Sequence, residues 1–278
     1  MLHRNYTRAI KEGLAQFPAL ALLGPRQIGK STMAKSLLSN RKVIFLDLEI
    51  SSNRNRLNDP ETFFKEHREE LVIIDEVQTM PDLFTALRPA IHEHRHSGRI
   101  LLLGSASPSL VRGVSESLAG RVRYLELPPL NILEAEKNKL DMNMLWVRGG
   151  FPSSLTARSG SLSLIWRQEL IRSFVERDLT QLFHISISEN TVRNFWQMIA
   201  HQQGSLFNAQ SIATSLGVTG PTVKRYLEFL NGAFLIRILE PWFVNTSKRL
   251  VKSPKVYVRD SGLLHAMLSL ENKNDLLG

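Results

Sequence analysis

Gly24-Pro25-Arg26-Gln27-Ile28-Gly29-Lys30-Ser31-Thr32 is a full G-x-x-x-x-G-K-S match. An apolar run, Leu20–Leu23, precedes it. Met33, Ala34, Leu37 and Leu38 follow at helical spacing. In that context the residues suit phosphate chemistry. Glycines let the backbone turn tightly, so that its N–H groups converge on an anion, and the helix that follows adds its positive end. Lys30 would neutralise phosphate charge, and the Ser31 hydroxyl would hold Mg²⁺. A second group of acids fits the same chemistry. Leu71-Val72-Ile73-Ile74 runs straight into Asp75 and Glu76. Asp75 is placed to hold Mg²⁺, and Glu76 is placed to polarise an attacking water.

These groups need a scaffold that brings them to one edge. The wholly apolar run before Asp75 predicts a strand buried on both faces. Val43–Leu48 and Ile100–Ser105 read as further strands, with a helix around Phe84–His94 between the third and fourth. Strands alternating with helices predict an α/β fold with a parallel sheet and helices on both faces. Ligands bind such sheets at the carboxyl ends of the strands. Ser105 falls just past a strand end, where a hydroxyl can meet a γ-phosphate or the lytic water. The alternative is a serine capping the turn Gly104–Pro108, and Ser107 is a weaker candidate of the same kind. Arg121 and Arg112 are candidates for meeting transition-state charge, supplied from a neighbouring subunit. The alternative for each is an ordinary surface or ion-paired arginine.

The assembled pattern resembles a prokaryotic AAA+ ATPase family with a C-terminal domain of unknown function, described as a winged helix followed by a restriction-nuclease-like fold. The resemblance is carried by residues 24–32, by Leu71–Gln78, by Gly104–Pro108 and by Ser115–Arg121. Leu127-Pro128-Pro129-Leu130 and Gly149-Gly150-Phe151-Pro152 also match. It implies a P-loop core binding ATP and Mg²⁺. Residues 24–32 would cradle phosphate, Ser31 and Asp75 serve the metal, Glu76 act as the catalytic glutamate and Ser105 as sensor 1. Ring-like homo-oligomers are plausible for such proteins. Members of the family usually run on for about another hundred residues. The segment Lys255–Leu264 therefore reads as the opening of a nuclease-like part that breaks off.

Composition bounds the rest. The 278 residues are 43% hydrophobic and 22% charged, which is ordinary for a globular protein. The absence of cysteine excludes disulfides and thiolate chemistry. There is no signal-peptide core among the first residues and no apolar run long enough to span a membrane, so a cytoplasmic protein is expected. A net charge of +9 favours polyanionic partners. His92, His94 and His96 alternate on a basic segment. A solvated helix end explains them better than zinc, because no carboxylate or thiolate partner is near in sequence.

Three regions are expected: a P-loop core over 1–150, a helical linker or lid over 151–205, and a winged-helix region over 206–278. Gly149–Pro152 and the serine-rich Ser153–Ser163 suggest the first boundary. Trp166, Leu170, Phe174 and Leu179, then Phe195, Met198 and Ile199, recur as helix core positions. Asn208 to Leu230 reads as helix-turn-helix. Asn208 caps the first helix and Gly217 ends it, while Thr219 caps the second with Pro221 in its first turn. Val223, Leu227 and Leu230 face inward. Thr222, Lys224 and Arg225 would project outward for DNA. Ala233–Leu239 and Lys255–Arg259 could form a wing, with Lys248, Arg249 and Lys252 in the turn near a phosphate backbone. The same architecture also serves protein contacts or lid support without DNA. The functional alternatives are a nucleotide-gated switch with little turnover and a plain DNA-binding regulator.

Overall fold

The structure is a computed structural model that describes residues 2–37, 42–93, 96–107, 120–178, 188–242 and 253–278. The chain divides into two compact units, 1–128 and 129–278. Gly149–Pro152 and the serine-rich segment lie inside the second unit. Leu130 donates to the Gly150 carbonyl at 2.8 Å, and the buried Ser154 and Ser163 hydroxyls bond each other at 2.8 Å.

The first unit holds helices α1 (Tyr6–Gln16), α2 (Lys30–Ser36), α3 (Ser51–Asn55), α4 (Pro60–Glu66) and α5 (Leu83–Glu93). Its strands are β1 (Ala19–Leu23), β2 (Val43–Asp47), β3 (Leu71–Asp75), β4 (Ile100–Gly104) and β5 (Val122–Glu126). They form one sheet in the order β2-β3-β4-β1-β5, with every pairing parallel. The sequence explains the order. β1, β3 and β4 are buried at every position and occupy the centre, where both faces are covered. β2 and β5 carry Asp47, Arg123 and Glu126 and stand at the edges, partly exposed. Each fully buried Leu or Ile of the central strands contributes about 1.5–3 kcal/mol. Because the strands run in parallel, the segments after β1, β3 and β4 emerge on one side of the sheet.

The second unit is helical. It comprises α6 (Ile132–Lys137), α7 (Met142–Arg148), α8 (Pro152–Leu155) and α9 (Gly160–Ser173), which continues through a π turn over Phe174–Asp178. Then come α10 (Glu189–His201), α11 (Ala209–Leu216) and α12 (Gly220–Gly232). An antiparallel pair, β6 (Ile236–Leu239) and β7 (Lys255–Val258), precedes α13 (Ser261–Met267) and α14 (Lys273–Leu277). Leu170, Phe174, Phe195 and Ile199 are buried as expected, and Met198 is half-buried. Trp166 is half-buried with its ring 5.6 Å from Phe151, and Leu179 lies outside the described residues. Trp196, a core residue the spacing did not single out, packs edge-on against Phe174 at 5.6 Å.

The residues expected to cap α11 and α12 do so. The Asn208 side chain accepts from the Gln210 and Ser211 N–H groups, both at 3.1 Å. Gly217 closes α11 in the left-handed region at φ 66°, a conformation that suits glycine. Thr219 accepts from the Thr222 N–H at 3.3 Å to open α12, which then buries Val223, Leu227 and Leu230. Among the described residues no helix is long and apolar enough to cross a membrane.

Candidate functional site

The loop between β1 and α2 leaves a central strand and enters a helix at Lys30. Gly29, the residue before the helix, sits at φ 95°. A Cβ there would meet nothing within 4 Å, so the requirement is conformational rather than steric. The loop is open on that side. Lys30 is only 5% exposed, and its ammonium donates to the Gly24 and Pro25 carbonyls, both at 3.0 Å. Burial pushes its pKa down. The charges of Glu76 and Asp75 oppose that shift, and Arg26 reinforces it.

Asp75 ends β3, two strands away from β1, and reaches back to the loop. Its Oδ2 accepts from the Ser31 hydroxyl at 2.5 Å, and its Oδ1 accepts from the Glu76 N–H at 3.0 Å. Burial raises the Asp75 pKa against the lowering effect of the Ser31 hydrogen bond. Hydroxyl and carboxylate oxygens brought together from two elements are the hard donors a magnesium ion prefers. On this observation the residues fit the metal.

Glu76 has left-handed backbone, φ 55° and ψ 42°, which is uncommon for a residue with a side chain. This turn ends β3 and points the half-buried glutamate toward Ser105, whose hydroxyl donates to Glu76 Oε2 at 3.1 Å. Ser105 is 3% exposed. Gln78, 8% exposed, joins both residues. Its amide nitrogen donates to the Glu76 carboxylate and, at 2.9 Å, to Ser105 Oγ. Its amide oxygen accepts from the Ser105 N–H at 3.1 Å.

Lys30, Ser31, Asp75, Glu76 and Ser105 thus stand along one sheet edge, as their positions after β1, β3 and β4 require. Arg26 lies at the rim, paired with Glu49 at 2.7 Å. Gln27 and Thr32 are exposed, and Ile28 is buried beneath the loop. Arg121 is not part of this group. It precedes the amino end of β5, at the opposite edge of the sheet and about 20 Å away along the strand direction. Arg112, His94, Lys248, Arg249 and Lys252 lie outside the described residues. In the second unit Lys224 and Arg225 are exposed on α12, while Thr222 is half-buried and bonds the Thr219 hydroxyl at 2.8 Å.

Sequence reasoning passed over two residues. Gln78 follows the acids of Leu71–Gln78 with no chemical signal of its own, and its bonds to Glu76 and Ser105 appear only in the folded chain. Arg4 is 7% exposed. It donates to the Ile28 carbonyl at 3.3 Å and to the Pro128 carbonyl at 2.5 Å, bracing the loop from beneath. A lone arginine near an amino terminus carries no signal for this.

Residues 16–136 match the family model described as AAA domain. Residues 139–274 match one described as Domain of unknown function (DUF8612). The uncharacterized proteins Mb2031c of Mycobacterium bovis and Rv2008c of Mycobacterium tuberculosis are each 41% identical over 270 residues, covering 97% of this chain. The chain spans 60% of the length of these curated relatives. Among solved structures, the Walker-type ATPase PABY2304 of Pyrococcus abyssi superposes with a TM-score of 0.64 at 16% identity, over 96% of each chain. The first unit accordingly has the α/β fold of P-loop NTPases, and the second unit is largely helical.

Proposed function

We propose that the first unit binds ATP with Mg²⁺ and hydrolyses it, and that the second unit couples this cycle to a partner. The observation that carries the reading is the convergence of Lys30, Ser31, Asp75 and Glu76 on one edge of a parallel sheet. The phosphate oxygens of ATP offer the Lys30 ammonium a stronger partner than the two loop carbonyls it now meets. Ser31 and Asp75 would hold Mg²⁺, which supplies charge neutralisation for the transferring phosphoryl group. Glu76 takes a proton from the attacking water as the new P–O bond forms. The bond from the γ-phosphorus to the bridging oxygen breaks, and ADP and phosphate leave. The buried Ser105 hydroxyl orients Glu76 and the water. If Arg121 meets phosphate, it enters from a second copy of the chain.

The second unit supports a winged-helix reading. α11 and α12 form a helix-turn-helix followed by the β6–β7 hairpin, and α12 exposes Lys224 and Arg225. DNA is the proposed partner, with the basic net charge in support.

The test is ATP turnover and nucleotide binding in the parental protein, Lys30→Ala and Glu76→Gln. Lys30→Ala loses both. Glu76→Gln retains binding and loses turnover by about 100-fold or more. Parental turnover in Glu76→Gln would remove Glu76 from its role. Tight binding with no turnover in the parental protein would favour a nucleotide-gated switch.

A further inference from the structure

Glu76 follows the last residue of β3 with left-handed backbone, φ 55° and ψ 42°. Its carboxylate is held by Gln78 and Ser105. These two residues are bonded to each other twice, through Gln78 Nε2 to Ser105 Oγ at 2.9 Å and through Ser105 N–H to Gln78 Oε1 at 3.1 Å. Both are buried, so neither loses these bonds to water. The short 3₁₀ turn Val77–Thr79 presents Gln78, and the Thr79 hydroxyl closes that turn on the Glu76 carbonyl at 2.8 Å. Space for the amide comes from Gly104 at the end of β4. A Cβ there would lie 3.1 Å from Gln78 Oε1.

We propose that Gln78 is a positioning residue that fixes the Glu76 carboxylate and the Ser105 hydroxyl as one unit for water activation. The inference rests on the hydrolytic reading above. An amide is suited to this task because it donates and accepts at once. Its carbonyl pins the β4 end by taking the Ser105 N–H, and its NH₂ group bridges the hydroxyl and the carboxylate. Gln78→Glu loses the donors and sets a second carboxylate against Glu76. Gln78→Asn is one methylene too short to keep both sides. The general-base glutamate then samples orientations away from the water, while the phosphate loop is untouched.

The experiment measures steady-state ATP hydrolysis, ATP affinity and thermal unfolding for the parental protein, Gln78→Ala, Gln78→Asn, Gln78→Glu, Glu76→Gln and the double variant Gln78→Ala/Glu76→Gln. We expect kcat to fall about 10- to 100-fold in each single Gln78 variant. KM and nucleotide affinity should stay within about threefold, because ground-state binding is unchanged. In the Glu76→Gln background, Gln78→Ala should cost no more than about twofold, since the group it positions is gone. Parental kcat in folded Gln78→Ala overturns the proposal and leaves the hydrolytic reading intact. So does a full, additive loss in the double variant, or a loss confined to affinity. A parental protein that binds ATP without hydrolysing it overturns the hydrolytic reading, and this proposal with it.

Discussion

Two clusters of buried charge among the described residues, one in each unit, are built on opposite principles. In the first unit, Lys30 and Asp75 lie beneath a loop that is open at Gly29. In the second, Arg167 and Asp260 are 1% and 4% exposed in packed surroundings. Asp260 accepts from the Gly150 N–H at 2.7 Å and from the Leu263 N–H at 2.9 Å, which ties the corner before α8 to the start of α13. Arg167 donates to the Ser163, Val147 and Gly262 carbonyls at 3.2, 3.2 and 2.9 Å. The glycines here are steric necessities: a Cβ on Gly150 would lie 2.3 Å from the Leu130 carbonyl oxygen. Burial raises the Asp260 pKa and lowers that of Arg167, as it raises Asp75 and lowers Lys30. A perturbed pKa alone therefore does not mark the site. What separates the clusters is where their hydrogen bonds go. The second spends its bonds on backbone amides and carbonyls of its own fold. The first adds a side-chain contact between two elements, the Ser31 hydroxyl on Asp75, to the loop carbonyls under Lys30 and the one backbone N–H on Asp75.

The largest effect is expected where the contrast is sharpest. Asp260→Ala leaves Arg167 without its opposing charge and strips two backbone N–H groups of their acceptor. It should cost about 3–5 kcal/mol in chemical denaturation. ATP affinity, measured well below the unfolding midpoint, should match the parental value. A loss of affinity in a fully folded variant would mean that the second cluster serves the site as well.

Asp75→Asn should do the reverse. The folded protein raises the Asp75 pKa, so the folded state holds an extra proton between the unfolded and folded values. Stability therefore falls as pH rises through that window, and the penalty is in full force above it. Removing the charge should stabilise the ligand-free protein by about 0.5–2 kcal/mol at pH 7. Little gain should remain below the ordinary aspartate pKa, where both states are protonated. Mg²⁺-dependent nucleotide binding should weaken in the same variant. A destabilised Asp75→Asn protein at pH 7 would place this carboxylate with the structural cluster instead.

The smallest change concerns charge that is not buried at all. Lys224→Ala with Arg225→Ala should shift stability by no more than about 0.5 kcal/mol. If α12 meets DNA through these residues, the slope of log affinity against log salt should shrink by about 1.8, because each phosphate left without its cation accounts for about 0.9. An unchanged slope would take α12 out of the DNA interface.

Much of the site was legible because its chemistry is local. The glycine loop over residues 24–32, the acids at the end of β3 and the caps of α11 and α12 each depend on neighbours a few residues away. Continuous apolar runs also separated the central strands from the edges, since only strands covered on both faces can be wholly apolar. Gln78, Arg4, Arg167 and Asp260 were not legible in this way. Each depends on at least one partner 27 to 124 residues distant, at spacings that carry no period. Arg121, expected to act from a neighbouring subunit, precedes the amino end of β5, away from its own chain's Lys30 and Asp75.

The sequence by itself determined the kinds of element, the glycine loop at Gly24–Thr32 and the acids at the end of β3, because backbone propensity and burial pattern act over short range. Only tertiary structure decided which buried charges stay available and which are consumed by the fold. That depends on which amides, carbonyls and side chains distant parts of the chain bring within hydrogen-bonding distance, and a buried polar group must take whatever partners it is offered.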